Sequence, residues 1–259
     1  MYKKILAAAI GAALIHTSAS AASISASPDG VPTKGAQKST LAVGLGVAAP
    51  SSAYRSYDDS TSAVPLVFFN SKNFYFEGFE AGYKVIENRS SRLSVILMAG
   101  GEEFDAGDSD IDGLDDRDRS FMAGVRYRYM AKWGIVDAKV AADISDESEG
   151  TTARVSYGYP FHVSDRFVVL PRGFVKWMSS DYADYYYGVS EDEGGLAAYA
   201  PGSSLKYGAE LLATYEINKK WKVLGGGRVS MLDSDLEDSP MLDDDMESMV
   251  FAGVTYSFW

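Results

Sequence analysis

The sequence contains no cysteine, so a disulfide framework and any thiolate metal site are excluded, as suits a chain exposed to an oxidising compartment. Histidine is almost absent: once an amino-terminal signal segment is set aside, only His162 remains. Beyond that segment no run reaches the roughly eighteen apolar residues of a membrane-crossing helix. Basic residues are scarce, 24 Lys and Arg against 36 Asp and Glu in 259 residues, and no nucleic-acid partner is expected. Aromatic residues, in contrast, are abundant at 13%, with 17 tyrosines. The mean hydropathy of −0.11 does not argue against a membrane location, because a barrel strand spends half its residues on a polar face.

Residues 1–22 read as a secretory signal peptide. Lys3 and Lys4 form the positive start, Ile5 to Ile15 the apolar centre, and Ala19-Ser20-Ala21 a small-residue cleavage site. Residues 23–39, with Ser, Pro and Gly, read as a flexible leader on the periplasmic side.

From Thr40 the chain repeats one design. Leu41, Val43, Leu45 and Val47 alternate with Ala42, Gly44 and Gly46; Phe121, Ala123, Val125, Tyr127 and Tyr129 alternate with Gly124, Arg126 and Arg128; Leu205 to Ile217 repeats the pattern around Lys206, Glu210 and Glu216. Period-two patterning means a strand with one apolar and one polar face. The runs are about ten to thirteen residues long, enough to cross an outer membrane at a tilt of roughly 45°. Short links (Glu87–Arg92, Met130–Trp133, His162–Arg166, Asn218–Lys220) alternate with long ones (Gly100–Arg119, Ser145–Gly150, Ser180–Ser204, Asp233–Glu247). Aromatics gather beside the short links, and Trp177, Tyr182 and Tyr207 stand beside a long one. The predicted fold is therefore all-β: a transmembrane antiparallel up-and-down β-barrel over residues 40–259, with both termini periplasmic. Plain counting gives eleven strands. Breaking the run 74–86 near Gly78 gives twelve and keeps Glu77 off the lipid face; ten is the alternative. Gly253, Tyr256 and Phe258 in the last strand fit the terminal pattern that closes such barrels and that the barrel assembly machinery reads.

The segment Asp184-Tyr185-Tyr186-Tyr187-Gly188-Val189-Ser190, followed by Tyr199-x-Pro201 and later by Asp238-Ser239-Pro240, together with the start LAVGLGVAAP and the aromatic end, resembles the MipA/OmpV family of outer-membrane proteins. The acidic insertion at Gly101–Arg119 and the extra Trp259 depart from the family pattern. The resemblance implies the outer membrane of a Gram-negative bacterium, with membrane lipids and lipopolysaccharide around the barrel. It also implies a non-enzymatic scaffold between a murein hydrolase and a penicillin-binding protein; other members are described as adhesins or small-solute porins.

Of candidate chemistry there is little. His162, Ser164 and Asp165 are contiguous in a short turn, which does not make a triad, and no catalysis or cofactor is expected. Asp108, Asp110 and Asp112, followed by Gly113, have the spacing of a calcium loop, but Arg119 stands where the bidentate Glu belongs. They are a calcium candidate beside the alternative of a solvated acidic loop. The lumen face is basic: Arg126, Arg128, Arg154, Arg172, Lys176 and Arg228 point inward, with Asp137, Asp143, Glu210 and Glu216 as the expected inward acids. Either the wall neutralises itself with help from the loops, or an anion path exists.

Overall fold

A computed structural model describes residues 39–258 except 56–58, 102–103, 110–112, 192 and 194. The signal peptide, the leader to Lys38 and Trp259 lie outside the described residues. Thirteen strands run β1 (Thr40–Ser51), β2 (Ser62–Asn70), β3 (Phe74–Glu77), β4 (Glu80–Glu87), β5 (Ser91–Ala99), β6 (Phe121–Ala131), β7 (Gly134–Asp143), β8 (Thr151–Gly158), β9 (Phe161–Ser164), β10 (Phe167–Met178), β11 (Ser204–Glu216), β12 (Trp221–Leu232) and β13 (Met246–Ser257). Among the described residues two α-helices, α1 (Ser180–Tyr187) and α2 (Ser234–Glu237), and a 3-10 turn at Ala106–Asp108 lie in the long loops.

Apart from β8 and β9, every strand pairs antiparallel with its sequence neighbours, and β1 pairs with β13 from Ala42↔Ser257 to Ser51↔Ser248. The sheet therefore closes on itself. β8 and β9 both pair with β10 and form one stave interrupted at Tyr159-Pro160, where proline offers no N–H to a ladder. Twelve staves result. At the closing seam Gly46 faces Gly253, and a Cβ on nearby Gly44 would overlap the Val254 carbonyl oxygen. The first and last strands approach there as only glycine permits.

The break expected near Gly78 is present. Gly78, at φ 65°, turns the chain so that Glu77 pairs with Glu80, both inside, while Phe74 faces out. This hairpin is short and leaves a notch in the wall. β2 is paired with β1 along its length but reaches β3 only through Phe68–Asn70. Pro65 stands on the unpartnered stretch, where its missing N–H leaves no donor unsatisfied.

The outward positions are apolar, as lipid requires: Leu45, Val95, Val125, Val155, Val175, Leu211, Val229 and Val250 are all exposed. At the short-turn end the aromatic girdle is a chain of touching rings. Tyr129, Trp133 and Tyr157 follow one another at 6.0 and 6.1 Å, and Trp221, Tyr256 and Phe258 at 5.0 and 5.1 Å. Tyr182, expected in the opposite girdle, is instead buried inside the barrel mouth; Trp177 and Tyr207 do face outward. Inside, on the β1, β2, β12 and β13 side, Val64, Leu66, Phe68, Leu224 and Met249 pack into an apolar wall against Phe79 and Phe251.

Candidate functional site

The lumen has three layers: a plug at the long-loop end, a small cavity below it, and a belt of ion pairs across the middle. The plug is built on α1. Ser179 caps the helix, its side chain accepting the Tyr182 N–H, and the i, i+4 spacing puts Tyr182 and Tyr186 on one face with Ala183. Those side chains and Tyr187 are fully buried. Each hydroxyl is satisfied. Tyr182 accepts the Gly101 N–H at 2.8 Å, and Tyr186 accepts the Ser120 N–H and donates to the Asp118 carbonyl, both at 3.0 Å. The Tyr187 hydroxyl takes a hydrogen bond from Lys206 Nζ at 2.8 Å. Burial pushes the Tyr186 hydroxyl up to about 12, so it stays neutral.

The other loops fold onto this helix. Tyr54 donates to the Tyr186 carbonyl (3.0 Å) and packs its ring against Tyr187 and Phe104. Ser239 Oγ donates to the Tyr187 carbonyl at 2.6 Å, and Val189 bridges to Tyr199. The Asp184–Ser190 segment, Tyr199 and Ser239, separate pieces in the sequence, are thus one contact surface. Tyr185 leans the other way, accepting the Asp118 N–H (3.0 Å). Gly188 ends the helix, its N–H donating to the Asp184 carbonyl (2.7 Å), and a Cβ there would overlap Asp184.

A buried ion pair pins the plug: Arg117 to Glu193, 2.5 Å, with Arg117 also donating to the Gly188 carbonyl at 3.2 Å. Burial alone would raise the Glu193 pKa. The N–H groups of Asp115 and Ser190 and the Arg117 guanidinium outweigh it and hold the carboxyl below its ordinary value. The lowered pKa gives the sign: this pair contributes fully above about pH 4.3 and is lost as pH falls through the lower folded value. Acidification below about pH 4 should therefore loosen residues 180–193. Hydrogen exchange corrected for intrinsic rates reads this, and equal protection of that segment at neutral and acid pH would refute it.

The belt lies on β3 to β8. Arg126 reaches Glu80 at 2.5 Å, Asp137 at 2.8 Å and Glu77 at 3.3 Å. Arg128 also binds Asp137 (2.8 Å), Lys139 binds Glu80 (2.7 Å), and Tyr75 donates to Glu80 (2.8 Å). Across the lumen Glu210 is shared by Arg154 (2.7 Å) and Arg172 (3.1 Å). Glu77 lies inside, as a break near Gly78 requires, whereas Glu80 and Glu247 are inward acids that the residue pattern did not supply. Glu80 falls inside because the Gly78 turn resets the face, and Glu247 belongs to β13 rather than to a loop.

Between belt and plug lies a cavity of about 70 Å³ lined by Lys139, Arg154, Lys176, Lys206 and Arg228, with Glu247 as its carboxylate. Strand register explains the concentration of charge. Arg126 stands opposite Lys139, Lys139 opposite Arg154, Arg154 opposite Lys176, and Lys176 opposite Lys206. Five cations thus form one row across β6, β7, β8, β10 and β11. Like charges directly opposite each other destabilise a sheet, so the row is retained against a cost.

Elsewhere, His162 is exposed on β9 and Ser164 Oγ accepts the Arg166 N–H (3.3 Å). Asp110 and Asp112 lie outside the described residues, as does the side chain of Asp108. No cluster of three or more potential metal ligands occurs among the described residues. Asp143 is enclosed by its own turn, accepting from the N–H groups of Ser145, Ser148 and Glu149.

Comparison with known proteins gives a consistent picture. The family model described as MltA-interacting protein MipA matches residues 43–258. The MltA-interacting protein of Escherichia coli K12 is 31% identical over 224 residues, covering 84% of this chain and 90% of that one. The outer membrane protein OmpV of Vibrio cholerae is 26% identical, covering 78% and 80%. Among solved structures the NanC porin overlaps 84% of this chain and 98% of its own, at 10% identity and a TM-score of 0.43.

Proposed function

The chain belongs to the MltA-interacting protein MipA family and is an outer-membrane β-barrel protein of a Gram-negative bacterium, and from that premise we propose that it is a non-enzymatic scaffold for murein-remodelling enzymes rather than an open channel. The observation that carries this reading is the occluded lumen. A plug with satisfied hydroxyls and a pinning ion pair fills the long-loop mouth, where a porin needs an aqueous entrance. The name of the Escherichia coli relative says that it interacts with MltA.

The short-turn end supplies a docking surface. Each of its five turns carries an exposed cation: Lys72, Arg89, Lys132, Arg166, and the pair Lys219 and Lys220. Read as the periplasmic rim, with both termini on that side, this ring faces the anionic murein layer and complements an acidic partner. The long-loop end, with Asp115, Asp116, Asp118, Asp235, Asp238 and Asp243 to Asp245, carries the opposite charge. Its Asp108, Asp110, Asp112 loop stays a calcium proposal, to be tested by calcium-dependent protection of that loop.

Affinity capture from envelope extract tests the scaffold. The wild-type barrel should retain a murein hydrolase and a penicillin-binding protein. A variant with Arg89, Lys132, Lys219 and Lys220 changed to Glu should lose most of that retention while folding normally. Equal capture by both, or none by the wild type, would overturn the reading.

A further inference from the structure

We propose that the cavity beneath α1 is a binding site for a small tetrahedral oxyanion, a phosphate either free or carried by a lipid or saccharide headgroup. Three observations converge. First, the strand register sets five cations side by side from Arg126 to Lys206, an arrangement that costs stability unless negative charge is brought to it. Four of the five, Lys139, Arg154, Lys176 and Lys206, line the cavity, and Arg228 joins them from β12.

Second, the protein's own carboxylates are divided thinly among these cations. Glu80 serves both Lys139 and Arg126, Glu210 serves both Arg154 and Arg172, and Glu247, the one carboxylate of the lining, binds Lys206 at 2.7 Å. A row built only to stabilise the wall would alternate its signs, as cross-strand pairs of opposite charge are the favourable ones. Here five cations and one carboxylate line the cavity, so its face is positive on balance.

Third, the space fits. About 70 Å³ holds several water molecules by the measure in which one needs roughly 10–15 Å³. That is room for one tetrahedral oxyanion. Lysine and arginine on facing staves offer donors from several directions, and bonds from charged donors to phosphate oxygens are the strong ones. Tyr182 lies over the cavity, its ring 4.6 Å from Lys176 Nζ and its hydroxyl accepting from that nitrogen at 3.2 Å. The site stands whether or not the barrel is a scaffold.

Titration calorimetry on the folded, full-length mature barrel in a phosphate-free detergent tests the assignment. Inorganic phosphate and a short-chain phosphatidic acid are compared with chloride at equal ionic strength. Saturable binding of phosphate, with chloride inert, is expected. Lys176→Gln and Arg228→Gln should each weaken it about tenfold or more, the loss of one charge-assisted hydrogen bond, whereas Lys176→Arg should retain it. Binding of phosphatidic acid alone supports the site and assigns its source to a lipid headgroup. If either Gln variant fails to fold, the wild-type titration and Lys176→Arg still decide. No saturable binding of either probe, or equal binding by the Gln variants, overturns the proposal.

Discussion

Replacing Arg126 with methionine should cost the folded barrel about 3–5 kcal/mol, the penalty of stripping a buried cation from its partners. Arg126 is the hub of the belt, within 3.3 Å of Glu77, Glu80 and Asp137. Its loss leaves three carboxylates with Arg92, Arg128 and Lys139 around them but none at the centre. Methionine matches the volume of the stem, so packing is largely conserved and the change reads electrostatics. Adding Glu80→Gln removes one of the stranded charges and should recover part of the loss, a coupling that a double-mutant cycle measures. Arg55→Met is the control, because its partner Asp243 is half exposed and such pairs contribute less than about 1 kcal/mol. Urea unfolding in micelles, followed by tryptophan fluorescence, gives all four values. Comparable losses at Arg126 and Arg55 would mean that water reaches the belt and screens it.

The sequence discloses the faces of the strands better than it discloses what those faces meet. Alternation around Val125 and Val155 assigns Arg126 and Arg154 to the lumen, because the side-chain period of a strand leaves no third choice. Register is a different matter. That Lys139 and Lys176 both stand opposite Arg154 depends on turn lengths and on where the ladder starts, and neither is visible in a single strand. The charge row was therefore hidden although each of its members was in view.

Parity shows the same limit. Glu77 and Glu80 are three apart, an odd spacing that puts them on opposite faces of a continuous strand. The turn at Gly78 makes them partners instead. At the barrel mouth, Tyr182 beside a long loop reads as a girdle residue, while the aromatic Tyr182–Tyr187 loop also reads as a lid, a ligand platform or a segment packed down to close the mouth. The signal for the plug was Ser179 as a cap with Tyr182 and Tyr186 one turn apart, a helical period inside a chain otherwise read with a period of two. The segment that resembles a known family and the segment that closes the lumen are the same residues. Their resemblance therefore reports packing among the loops more directly than it reports any chemistry.

Replacing Asp181–Tyr187 with a Gly/Ser linker should convert a silent barrel into a conducting one. The wild type, with α1 seated on Tyr54, Gly101 and Ser120, is expected to give no stable steps in a planar bilayer. Without the helix, the roof of the cavity is gone and the cation row opens to solution beside the mid-lumen belt. Ions must then pass Arg154, Lys176, Lys206 and Arg228, and a narrow low-dielectric passage lined by one sign of charge concentrates the opposite ion. The steps should accordingly prefer anions, and the preference should fall as salt rises and the row is screened. Arg154→Glu with Lys176→Glu in the same background should reverse it. Large steady steps from the wild type would remove the argument for a closed lumen. Cation preference in the linker variant would remove the argument that the row, rather than the carboxylates flanking it, sets the potential of this interior.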